Sequence, residues 1–403
     1  MFKKDCRCCD GTNLKSVIDF GNIPLANNLL NNFIEDDLAF PLELMYCQDC
    51  HNCQLSYSVD SKVMFDNYLY VSSTTEQMRN HFKAAAHNIA KDYNLDENSL
   101  VVEIGSNDGV FLTHLNDQKI KICGIEPAKN ISAIANEKGL HTYNGYCDKE
   151  AVNYVLSNFG KADVVTAFNV FAHADNLKLI LDSAFEILKD DGVFIVENQW
   201  LLKTMFDLTF DNIYHEHFNY WSVTSMNNFV RRNGYFIQKV ERYTTHGGSI
   251  RVHISRKPTK CESLNSFLEL EYCHGLTSFD AYERFAERIK ECKKNTVKAF
   301  DELHSKYGKV VGYGSPAKAT TLLNYFGIDH NYLSFIIEDN PLKYEKIVPG
   351  IKVKIICKDL ASSIVPKAVV VMAWNFYDEI IKNNQAFINQ GVEFLNIKDL
   401  QNG

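Results

Sequence analysis

A chain of 403 residues, 46% of them hydrophobic, carries enough apolar material for two or three separate cores. Its 42 basic and 50 acidic residues leave a formal charge of −8 with no conspicuous Lys/Arg run, which disfavours a nucleic-acid partner, because neutralising phosphates needs a basic footprint. The longest apolar runs, such as VVVMAW at 369–374, are too short to cross a bilayer, and the opening MFKKDCRCCD has no signal-peptide core, so a cytoplasmic protein with no membrane partner is expected.

The first region, residues 1–65, is irregular, rich in Cys and Asn, and in need of a staple. Cys6 and Cys9, then Cys47 and Cys50, supply two CxxC pairs, and tetrahedral zinc takes four such thiolates at about 2.3 Å. The long loop between the pairs is no obstacle, since closure entropy grows slowly with length. Cys8, His51 and Cys53 are spare donors, so the ligand choice stays open among them. Four thiolates fill the coordination shell, which predicts a structural zinc and not a catalytic one.

Residues 66–249 alternate apolar strands with helical patterns, as in a parallel α/β sheet, with strands expected at 101–105, 120–126, 162–168 and 193–198. The segment AFEILKDDG reads as a helix stopping at Gly192. Directly after the first strand comes Glu103-Ile-Gly105-Ser106-Asn107-Asp108-Gly109, a glycine turn that lets the backbone approach a ligand closely. Glu126, followed by Pro127 at the end of the next strand, is placed to accept ribose hydroxyls. An NAD site would show GxGxxG; the spacing here instead resembles the ExGxxxG loop of class I methyltransferases and favours S-adenosylmethionine.

The densest collection of acid/base groups is DNIYHEHFNYW, with Tyr214, His215, Glu216 and His217 in a row. An imidazole titrates near neutrality and suits a general base. His215-Glu216-His217 has the wrong spacing for an HExxH zinc site. Asn169 and His173, in NVFAH after another strand, are expected at the same crevice, and Asn198 at a strand end, His246 and Arg251 are candidate substrate contacts. Residues 250–403 restart the pattern after a charged amphipathic stretch and predict a second doubly wound α/β domain. There, Gly314, Ser315 and Lys318 form a glycine turn opening a helix, a candidate diphosphate site.

Together these motifs resemble the three-domain sugar C-methyltransferases that act at C3 of nucleotide-linked 4-keto-6-deoxy sugars. The likeness spans nearly the full length and rests on the CxxC pairs with GNIPLANNLL between them, YLYVSS, EIGSNDG, GIEP, NVFAH, IYHEHFNYWS, HGGSIRV and GYGSPAKATTLLNY. The resemblance implies a zinc-binding N-terminal domain, a Rossmann-like domain holding S-adenosylmethionine, and a C-terminal domain that helps hold the nucleotide-linked keto-sugar. It implies His217 as base, Tyr214 and Glu216 as its neighbours, and Tyr70 and His173 as further active-site members. Cys53 departs from the family, which more often has an aliphatic residue there. The competing expectations are O-methylation or RNA methylation with the same cofactor, and a zinc-containing nucleotide-sugar binding protein without turnover.

Overall fold

The computed structural model describes residues 1–34, 37–60, 63–64 and 71–402. They form three sheets. The N-terminal residues build antiparallel strands β1 (Leu14–Pro24), β2 (Ala39–Cys47) and β3 (Cys53–Leu55), where the sequence reading expected irregular chain. The strands were hidden because their alternation is broken by register shifts after Ser16 and Asp19.

The middle sheet contains β4 (Leu100–Ile104), β5 (Lys121–Glu126), β6 (Thr142–Asn144), β7 (Ala162–Phe168) and β8 (Leu188–Gln199), all parallel. Every residue of the LVVEI strand β4 is buried, the continuous run expected when helices cover both faces. Strand β9 (Asn219–Tyr220) leaves this domain and pairs with β3, so the segment predicted to be catalytic completes the N-terminal sheet. Strands β10 (Phe236–Tyr243) and β11 (Ser249–Ser255) then return antiparallel, giving the order β10-β11-β8-β7-β4-β5-β6. Strand β11 therefore belongs to the middle sheet, although residue 250 was expected to open the last domain. The helix Leu177–Ile187 ends before LKDDG, which is extended chain at the start of β8; Gly192 is no helix cap but lies where a Cβ would come within 3.0 Å of the Asp163 carbonyl on β7.

The 29-residue helix Phe279–Tyr307 bridges the outer domains: Tyr282 packs on Tyr46 of β2 with ring centroids 4.3 Å apart, and Asn295 reaches the Gln401 carbonyl. Beyond it lie β12 (Val310–Tyr313), β13 (Leu333–Ile337), β14 (Ile347–Val348), β15 (Val353–Ile356), β16 (Ala368–Val371) and β17 (Glu393–Asn396), ordered β14-β15-β13-β12-β16-β17. Only β14 runs antiparallel. The parallel parts of the two large sheets share one order, with the reversal beside β4 and β12, and ligand crevices are expected at the carboxyl ends there. Among the described residues no helix is long and apolar enough to cross a membrane.

Candidate active site

At the end of β4 the chain turns at Gly105 (φ 67°) and Gly109 (φ 75°). A Cβ at Gly105 would lie 2.4 Å from Val170 Cγ2, so only glycine fits between this turn and the loop after β7. The Glu126 carboxylate is fixed by two backbone donors, Asn107 N–H at 2.9 Å and Ala128 N–H at 2.8 Å, one on each oxygen. Each oxygen keeps a lone pair for a further donor. Glu103 is buried and its carboxyl is pushed well above the usual range by burial, with Asp108 and Glu126 adding to the effect. Glu103 Oε2, Ser106 Oγ and Asp108 Oδ1 are buried with no hydrogen-bond partner among the described residues. Such orphaned acceptors gather where a polar ligand completes the network. Pro127 sits beside them, its carbonyl accepting from Asn144. Asn169 takes a left-handed φ of 58° and donates its N–H to the Glu197 carbonyl at 2.7 Å.

His217 is 7% exposed. Its Nδ1 lies 2.9 Å from the Asn212 carbonyl, an acceptor only, so Nδ1 carries the proton and Nε2 presents its lone pair. The Tyr214 hydroxyl donates to Nε2 at 3.0 Å. Burial holds the imidazole well below its ordinary pKa, and His173 and His246 push the same way. His173 is brought alongside as expected, its own pKa lowered to about 4 by burial. A cavity of about 10 Å³, room for one water, separates His217 from Gln199, Thr204 and Asn219. Glu216, predicted to support the imidazole, hydrogen-bonds Asn27 of the N-terminal domain instead; burial pushes its carboxyl up to about 7. His215 Nε2 meets the Phe40 carbonyl at 3.0 Å, a packing role. Tyr70 lies outside the described residues.

Asn198 is buried at the end of β8 with Oδ1 unpartnered among the described residues, consistent with a ligand contact. His246 sits at φ 54° in the turn before β11, half-buried, its pKa lowered to about 4 chiefly by burial. Arg251 requires correction as a substrate cation. It is 1% exposed, its Nε and Nη2 both bind Glu197 Oε2 at 2.9 and 2.7 Å, and its Nη1 donates to Tyr243. Glu197 also holds His81 at 2.7 Å, so the guanidinium is consumed by a buried ion cluster.

The turn after β12 brings Gly314 (φ 80°), Ser315 and Lys318 to the middle domain. Ser315 donates its N–H to Glu338 at 2.8 Å, an arrangement like that of Asn107 with Glu126. Lys318 Nζ lies 3.8 Å from the Trp374 ring centroid and donates to Asn375, and burial lowers its pKa to about 8. The Trp374 indole donates to Asp211 at 2.7 Å, which docks the C-terminal domain on the first residue of the DNIYHEHFNYW segment. A groove of about 390 Å³ opens between Gln77 and residues 374–379. Asn212, Asp211 and Trp374 were missed in the sequence because a backbone carbonyl and an interdomain contact carry their roles.

Cys6, Cys9, Cys47 and Cys50 converge with all four sulfurs within 4.8 Å of one another. The spare donors are accounted for: Cys8 is buried with its N–H on the Cys6 sulfur, His51 binds the Tyr46 hydroxyl, and Cys53 lies in the core of β3.

Three family models match in order: a zinc binding domain over residues 6–65, a methyltransferase domain over 75–240, and a C-methyltransferase C-terminal domain over 244–397. The chain is similar to C-methyltransferase NovU of Streptomyces niveus, 30% identical over 398 residues that cover 97% of this chain and 94% of NovU. Among solved structures, magnesium protoporphyrin IX methyltransferase of Synechocystis with bound SAH matches 44% of this chain and 83% of its own at 13% identity and a TM-score of 0.36. A Pyrococcus horikoshii protein matches 47% of this chain and 95% of its own at 14% identity and a TM-score of 0.38.

Proposed function

The chain belongs to the C-methyltransferase family, and from that premise we propose that it methylates C3 of a nucleotide-linked 4-keto-6-deoxy sugar, with S-adenosylmethionine as methyl donor and His217 as base, in deoxysugar biosynthesis. The observation that carries the reading is the imidazole of His217, buried, neutral, and locked by the Asn212 carbonyl into the tautomer whose Nε2 can accept a proton.

The crevice after β4 suits the donor. Glu126 offers two oriented acceptors for ribose hydroxyls, while Glu103, Ser106 and Asp108 offer buried acceptors that an ammonium group satisfies. When bound there, the cofactor supplies an electrophilic methyl group. The chain's own residues generate the nucleophile. A C4 ketone acidifies the hydrogen on C3, Nε2 of His217 takes that proton, and the Asn212 carbonyl stabilises the resulting imidazolium through Nδ1–H. The Tyr214 hydroxyl, freed from Nε2, donates to the enolate oxygen, an interaction worth roughly 3 to 4 kcal/mol. Lys318, which sits on the ring of Trp374 at the border of the groove, and the turn at Gly314–Ser315 bind the diphosphate. The four-thiolate cluster holds a structural zinc.

The test is incubation of the purified chain with dTDP-, GDP- and CDP-linked 4-keto-6-deoxy sugars and methyl-labelled S-adenosylmethionine. Label on C3 of one sugar is expected, together with solvent-deuterium exchange at C3. Label that reaches only oxygen, or no sugar at all, ends the proposal.

A further inference from the structure

The conspicuous GNIPLANNLL motif finds its explanation in a strap that runs from the N-terminal sheet across the catalytic segment to the C-terminal domain. Leu25 is buried with Val59, Met64 and Phe218, the last of which follows His217. The Ala26 carbonyl accepts from Thr320 Oγ1 at 3.3 Å, and Leu30 exchanges two backbone hydrogen bonds with Ile347, each 2.9 Å. Between these anchors Asn27 Nδ2 donates to Glu216 Oε1, across 189 positions of sequence. Glu216 is 5% exposed, and its carboxylate accepts this bond inside the protein.

We propose that Asn27 is a positioning residue of the methyltransferase site: anchored on two domains, its carboxamide fixes the carboxyl of Glu216, the residue that precedes His217 in the chain, and reserves Oε2 as the oxygen that carries a proton. The chemistry follows from donor and acceptor inventory. An amide N–H can meet only an acceptor, so Oε1 stays unprotonated while it holds that bond, and the acid form of Glu216 presents its O–H from Oε2. Burial, which raises the Glu216 pKa, makes that acid form accessible near neutrality, and the Asn27 bond works in the opposite direction. A carboxyl so held keeps one orientation, and the strap that holds it belongs to the domain that carries the four cysteines. The inference rests on the active-site reading above and adds Glu216 to it.

Asn27→Asp keeps the shape but removes the amide donor, and Asn27→Ala removes both. The carboxyl bands of Glu216 are isolated in the infrared difference spectrum against Glu216→Gln, a measurement needing no substrate. Both Asn27 variants are expected to shift those bands, to lower kcat about tenfold with the S-adenosylmethionine KM unchanged, and to have no further effect in the Glu216→Gln background. Zinc content and melting temperature are followed alongside. Unshifted bands, wild-type turnover in Asn27→Asp, or a loss of equal size in the Glu216→Gln background overturns the role of Asn27. Failure of every keto-sugar to accept methyl would remove the substrate reading while the spectral comparison still decides whether Asn27 sets the carboxyl.

Discussion

The imidazoles of His173 and His217 stand edge to face, ring centroids 4.8 Å apart and planes at 85°. Protonating either ring raises the cost of protonating the other, and burial already disfavours both charged forms. The pair therefore offers a neutral base whose proton affinity rises only when a negative enolate forms beside it.

His217→Asn is expected to lower kcat by roughly 10²- to 10⁴-fold, the usual contribution of a general base, with S-adenosylmethionine affinity nearly unchanged. Calorimetric titration of the cofactor and initial rates measure the two separately; near-normal turnover would take His217 out of the base role.

Glu216 has a folded pKa raised to about 7 against about 4.3 for a free glutamate. The folded chain therefore binds the proton more tightly, and stability falls as pH rises from about 4.3 to 7, then levels. Glu216→Gln removes the ionisation, so its unfolding free energy should exceed that of the wild type at pH 8 by roughly 3 to 4 kcal/mol, the gap closing toward pH 4. Melting curves across that range check the sign; a gap that widened toward acid would refute it.

About one zinc per chain is expected by elemental analysis. Cys9→Ser should lose the metal, whereas Cys8→Ser and Cys53→Ser should keep it, because only the first removes a member of the cluster. Removing the metal with a strong chelator should cost activity along with the N-terminal sheet, since β9 pairs there directly after His217.

Arg251→Met should unfold the protein more easily by about 3 to 5 kcal/mol, the cost of leaving Glu197 as a buried charge without its main partner. In contrast, Lys318→Ala should leave the melting point nearly unchanged and raise the sugar-nucleotide KM, because its ammonium sits on the ring of Trp374, which borders the groove. Measuring both quantities for both variants separates a scaffold cation from a ligand cation; a reversed pattern would exchange their roles.

The parallel strands, the glycine turns and the cysteine pairs were legible because each is written in adjacent residues: apolar runs, GxxxG spacing, CxxC. What was not legible is long-range. Arg251 looks like a free cation until Glu197, 54 positions upstream, comes beside it on the neighbouring strand. Glu216 looks like a partner for His217 because it is adjacent in sequence, yet it hydrogen-bonds Asn27, 189 positions away. The N-terminal strands escaped notice for a local reason, the bulges that interrupt their two-residue period.

The pairing of β3 with β9 also sets an order of assembly. Residues 53–55 emerge early in synthesis but have no edge partner until Asn219 and Tyr220 arrive, long after the cysteines have been made. This N-terminal module is thus completed only after most of the middle domain has been made, and its open edge is exposed to wrong pairings in the interval.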